Sequence, residues 1–159
     1  MLSEVTQALR ERGAHFEVVH HARAAAAMRE AIVLGLGPGD VLKAVVLESY
    51  GAPVLAVVPA NRRLDMHLVR SALGDPHARL AHEDEIEREL PGCELGAVPP
   101  LGSVMHAPVY VDPEVMSHPV VAFAAGTQTE SVKGATNELF LGEFVTVTPI
   151  GEPPEPRDG

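Results

Sequence analysis

The stretch Val41-Leu42-Lys43-Ala44-Val45-Val46-Leu47 constrains this chain's fold more than any other segment. It is strand-length, apolar and nearly unbroken, which marks a strand inside a core rather than one on a wet face. A second apolar run, Pro53 to Val58, follows after only Tyr50-Gly51-Ala52, so strands 42–49 and 53–58 are expected to pair as a hairpin. Lys43 violates the pattern. Its amine is an edge-strand group reaching for water, half of a structural ion pair, or a functional amine lining a pocket. Only Lys133 accompanies it as a lysine among 12 basic residues, which argues against compositional drift.

At 159 residues the chain suits one domain with a real core. Twelve Lys and Arg against 22 Asp and Glu give a net charge of −10, which opposes a broad basic surface for DNA or RNA and leaves room only for a local contact. The single cysteine, Cys93, reads as a packed thiol. Met1-Leu2-Ser3-Glu4 lacks the pattern of a secretion signal, and the apolar runs are far shorter than the roughly 20 residues that span a bilayer. The expectation is a cytoplasmic protein without a membrane partner.

Ser3 is expected to cap a first helix ending at Gly13, and Asp65 a third from there to Leu73 with Gly74 as its stop. Between them lie a strand at 16–19 and an Ala-rich helix at 24–34. An acidic helix at 83–90, with a solvated face, precedes an irregular Gly- and Pro-rich loop at 93–108. Strands at 109–111, 120–124 and 144–148 follow, with a short helical piece at 135–141. Residues 1–150 form the domain, and the Pro-rich 151–159 reads as a disordered tail. The mixture without a regular βαβ rhythm predicts a mixed α+β or α/β domain.

Two later segments supply what a pocket needs beside an amine. Gly96-Ala97-Val98-Pro99-Pro100 combines a residue without Cβ and a stiffened loop that can hold free N–H groups in place. Ala124-Ala125-Gly126-Thr127-Gln128-Thr129 leaves space after a strand and ends in hydrogen-bonding side chains. Each alone is also an ordinary turn or strand end. No H-E-x-x-H or C-x-x-C motif occurs and the adjacent His20 and His21 point to opposite sides of an extended chain, so neither a metal nor a cofactor is expected. Gly35-x-Gly37-x-Gly39 follows a helix and precedes a strand, the wrong context for dinucleotide binding.

Together, V-x-K-A-V-V-L around Lys43, the Gly96 to Pro100 element and F-x-A-G-T at Phe123 to Thr127 resemble the YbaK/ProX-type aminoacyl-tRNA deacylases, also found as the editing domain of some prolyl-tRNA synthetases. Pro59-Ala60-Asn61-Arg62-Arg63-Leu64-Asp65 and Pro108-Val109-Tyr110-Val111-Asp112 extend the likeness, which covers Phe16 to Thr148. The resemblance implies a barrel-like mixed sheet flanked by helices, and hydrolysis of the ester between a wrong amino acid and a tRNA 3′ end. By position, Lys43 would orient the aminoacyl-adenosine, and the Gly96 backbone would position water or the carbonyl oxygen. His21, Pro100, Ala124, Gly126, Thr127 and Gln128 would border the substrate. The implied partners are the aminoacyl-tRNA 3′ end and an aminoacyl-tRNA synthetase, with a monomer or a homodimer as the alternatives of assembly.

This chain departs from the family where Gln128 replaces a common His, and where Ala25 and Ala26 replace Tyr or Thr. Gln hydrogen-bonds but is no general base near neutral pH. A noncatalytic aminoacyl-adenosine binding module is therefore the alternative to a trans-editing hydrolase, and a small-molecule ester or amide hydrolase is a third reading.

Overall fold

The hairpin predicted from the two apolar runs is the centre of the molecule in a computed structural model that describes residues 1–23, 31 and 34–153. Strand β2 (Leu42–Ser49) pairs antiparallel with β3 (Ala52–Pro59) from Leu42 opposite Pro59 to Ser49 opposite Ala52. The two-residue turn puts both Tyr50 (φ 51°) and Gly51 (φ 77°) in the left-handed region, the geometry whose twist suits a tight hairpin. Asp75 holds it, accepting the Ser49 hydroxyl at 2.9 Å and the Tyr50 N–H at 3.2 Å.

Alternation along the hairpin divides the interior in two. Leu42, Val46, Leu55 and Val57 join the larger core with Val5, Leu9, Leu101, Val121, Phe123 and Val132. Leu47, Val54, Ala56 and Val58 enter a smaller one with Val69 and Ile150. Both faces are thus covered, as the unbroken apolar runs require.

Three short strands complete this sheet: β4 (Arg79–Leu80) against the end of β2, and β5 (Val109–Val111) and β8 (Val145–Val147) added parallel beyond β3. A second, antiparallel sheet has the order β1 (Phe16–His20), β7 (Glu130–Ala135), β6 (Val120–Thr127). The expected barrel-like sheet is corrected to two open sheets joined by one parallel bridge, Val41 to Ala122. The reason lies in β2: its second edge touches β6 only at its start and is occupied by β4 at Leu47 and Glu48, leaving no continuous seam.

Helix α1 (Leu2–Glu11) buries Val5 and Leu9. Its N-cap is Met1 rather than the expected Ser3, which sits in the first turn and accepts the Thr6 hydroxyl through its carbonyl. Helix α2 (Met66–Leu73) matches its predicted signals: Asp65 accepts the N–H groups of His67 and Leu68 at 2.9 and 3.2 Å, and Gly74 closes it with φ 63°. Then come α3 (Glu83–Glu89), α4 (Gly102–Met105), α5 (Pro113–Ser117) and α6 (Thr136–Leu139). Helix α4 falls inside the loop expected at 93–108, and α5 in a stretch to which no element was assigned. The expected helix at 24–34, with Ala25 and Ala26, lies outside the described residues apart from the buried, helical Ala31 and Leu34.

Past Ile150 the chain remains hydrogen-bonded. Buried Asp112 accepts the N–H groups of Ile150 and Gly151 at 3.0 and 2.8 Å, and Glu152 donates to the Arg63 carbonyl at 2.8 Å. The remainder of the expected tail, from 154 to 159, lies outside the described residues. Among those described, no helix is long and apolar enough to cross a membrane.

Candidate active site

Two segments far apart in sequence are laced together here. Glu94 donates its N–H to the Gly126 carbonyl at 2.8 Å, and Gly126 returns its own N–H to Ala97 at 2.9 Å. The Gln128 N–H reaches the Glu94 carboxylate at 3.1 Å, and its side-chain amide donates to the Leu95 carbonyl at 2.9 Å. Glu94 was not singled out by sequence, yet it acts as the latch between the segments and also meets Arg23 at 3.1 Å. The resulting backbone carries Gly96 at φ 78°, exposed, with its N–H donating to no protein atom among the described residues. A Cβ there would lie 3.1 Å from the Gln128 amide nitrogen, so the glycine permits both the turn and the close approach.

The other bordering residues have varied surroundings. Gly126 (φ 100°) lies under the Met1 side chain, which occupies the space a Cβ would need. The Thr127 hydroxyl donates to Glu130 at 3.0 Å and accepts weakly from the Thr129 N–H. Pro100 is buried and Ala124 half-buried. His21 joins the same region, since its N–H donates to the Thr129 carbonyl at 2.9 Å. Its ring is fixed between the Ala22 carbonyl at 2.8 Å and the buried Ser131 hydroxyl at 2.9 Å. A carbonyl can only accept, so Nδ1 carries the proton; in the neutral ring Nε2 then accepts from Ser131.

Lys43 approaches from the hairpin. Two residues beyond the Val41–Ala122 bridge stand Lys43 on β2 and Ala124 on β6, so the bridge between the sheets brings the lysine strand alongside the pocket segment. The Lys43 side chain is half-buried and has no hydrogen-bond or ion-pair partner among the described residues, so the structural ion-pair alternative has no support from them. Burial, and then the neighbouring Arg63 cation, hold its pKa below the usual lysine range. Among the described residues no hydrogen bond ties Lys43 to Gly96, Thr127 or Gln128. A groove of about 590 Å³ beside Gln128 is lined by Arg23, Glu87, Cys93, Glu94 and Leu95. Cys93 has its thiol pKa pushed up by burial and lies 3.9 Å from the Met105 sulfur, which fits a packed thiol.

The arrangement presents a half-buried amine, a backbone N–H without a partner among the described residues, and a set of small residues. That is equipment for binding and polarising an acyl group next to an anionic ligand.

Residues 19–140 match the family model of the aminoacyl-tRNA editing domain, and the chain belongs to that family. It is 31% identical over 129 residues to the multifunctional Ser/Thr-tRNA deacylase ProXp-y of Escherichia coli, covering 78% of this chain and 77% of that one. A proline–tRNA ligase of Heliobacterium modesticaldum is 31% identical over 84 residues, which are 53% of this chain and 14% of the ligase. Among solved structures, a candidate trans-editing enzyme for prolyl tRNA synthetase superposes with a TM-score of 0.82 at 28% identity, covering 96% of this chain and 97% of that one.

Proposed function

We propose that this protein is a trans-editing hydrolase that cleaves the ester joining a wrongly attached amino acid to the 3′ end of a tRNA, acting in the cytoplasm. The observation that carries this reading is Lys43, a half-buried amine without a partner among the described residues, inside a domain of the editing family. Water adds to the ester carbonyl carbon, the carbon–oxygen bond to the ribose breaks, and the products are the free amino acid and a tRNA with its terminal hydroxyl restored. Lys43 holds the aminoacyl-adenosine by charge and hydrogen bonding. The Gly96 N–H faces either the carbonyl oxygen or the water, and the terminal ribose hydroxyl assists. Orientation and preorganised dipoles carry the rate.

The test is a deacylation panel of aminoacyl-tRNAs with wild type and Lys43→Ala. A loss of about 10²–10³-fold in kcat/KM with the fold intact by circular dichroism is expected, the range for losing one preorganised donor. Unchanged hydrolysis would remove the role given to Lys43. One observation favours a binding module instead: the Gln128 amide is already engaged with the Leu95 carbonyl. Tight binding of a nonhydrolysable aminoacyl-adenosine without turnover of any substrate in the panel would select that reading.

A further inference from the structure

At the far end of β2 a second polar group stands in the core strand. Glu48 is five residues from Lys43, roughly 17 Å along the strand, and on the opposite face. It is only 6% exposed, yet among the described residues its Oε1 meets no N–H or hydroxyl donor. Oε2 of Glu89 is equally enclosed and equally without a donor. Glu85 and Glu89 lie one turn apart on α3, so both face β2, and one oxygen from each of Glu48, Glu85 and Glu89 falls within 4.8 Å of the others.

Arg79 does not resolve this crowding. It is committed in a bidentate pair with Glu85 at 2.7 and 2.9 Å, and it also donates to the Leu80 carbonyl at 3.2 Å. Arg88 lies 3.8 Å from the other oxygen of Glu89 and is largely exposed. Arg88 reaches only the outer oxygen of Glu89, so once Glu48 is ionised it faces the enclosed oxygen of Glu89 with no cation between them, while at lower pH the two carboxyls share one proton. Ionised carboxylates brought together out of water are costly, and a hard divalent ion replaces the shared proton. The oxygen spread fits too, since opposite ligands around an ion with bonds of about 2.3–2.6 Å stand roughly 4.6–5.2 Å apart. A cavity of about 430 Å³ beside the trio, reached also by Asp75 and His77, has room for the waters that complete the shell.

We propose that Glu48 and Glu89, with Glu85 in support, bind one hard divalent cation of the calcium, magnesium and manganese class, tying β2 to α3. The ion is structural and separate from the Lys43 region. A proton competes for the same oxygens, because burial and then Glu89 raise the Glu48 pKa to about 7, so binding is measured at pH 8.

The experiment uses the full chain, stripped with EDTA and dialysed. Mn²⁺ is titrated and followed by loss of its free electron paramagnetic resonance signal, Ca²⁺ and Mg²⁺ serve as competitors, and Tm is recorded with each ion. Expected are one Mn²⁺ per chain displaced by Ca²⁺ or Mg²⁺, and a Tm rise of about 5–10 °C with ion at ~100 times Kd. Glu48→Gln and Glu89→Gln should each weaken binding at least tenfold and abolish the rise, whereas Lys43→Ala leaves both intact. No saturable binding by 10 mM, or binding that survives Glu89→Gln, overturns the proposal. Glu89 is the less buried of the two, so its variant decides if Glu48→Gln does not fold.

Discussion

Replacing Gly96 by alanine tests how the pocket loop is held. The residue is exposed, so the cost comes from two local sources. Its φ of 78° places an L side chain in the left-handed region, at about 1–2 kcal/mol. The new methyl also sits 3.1 Å from the Gln128 amide nitrogen and displaces it from the Leu95 carbonyl, a hydrogen bond worth about 0.5–1.5 kcal/mol. The sum, about 1.5–3.5 kcal/mol, should appear in urea unfolding and as a Tm loss of about 4–12 °C. Because half the argument runs through Gln128, the cycle with Gln128→Ala separates the parts. In that background Gly96→Ala should cost only the backbone share, giving a coupling of about 1 kcal/mol. A single-mutant cost below about 0.5 kcal/mol would refute the strain, and an equal cost in both backgrounds would refute the contact.

Two further perturbations follow from the core and the hairpin. Phe123→Ala removes a ring that is 1% exposed in the larger core and should cost about 3–5 kcal/mol in urea unfolding; a loss under 2 kcal/mol would mean the site collapses around it. Asp75 has its pKa held below the usual aspartate value, first by the His77 N–H and then by Ser49 and Tyr50. A depressed carboxyl gives stability that is present above its unfolded pKa, near 3.8, and lost as pH falls through the lower folded value. Asp75→Asn should therefore lower Tm at pH 7, and the deficit should shrink below about pH 4; a deficit independent of pH would contradict this.

The hairpin was legible in sequence because both faces of β2 and β3 are buried, so local composition and global packing agree. Helix α2 was legible because its start and stop signals, Asp65 and Gly74, are local. Helix α5 carries similar signals, Asp112 as its cap and Pro113 at its first position, but a five-residue helix gives no periodicity to accompany them. The two-sheet arrangement depends on parallel pairs β3–β5 and β5–β8, which no neighbouring residues announce. The site divides in the same way. Lys43 stood out as a charge in an apolar strand, and the same rule points to Glu48, which passes as the polar end of that strand until Glu89 is seen against it. Glu94 with Gln128 and His21 with Ser131 are joined across 34 and 110 residues, separations that a reading along the chain does not bridge.

The hydrogen bond from Glu152 to Arg63 has a practical corollary for anyone handling this protein. Arg63 is the cation that, after burial, depresses the Lys43 pKa, and its backbone is stitched to the segment leaving the domain. A purification tag or fused partner that replaces the residues after Pro153 begins one residue beyond this bond, and one that pulls on the segment loosens the backbone of Arg63. Comparing the Tm of tagged and cleaved protein reads out whether that stitch is kept.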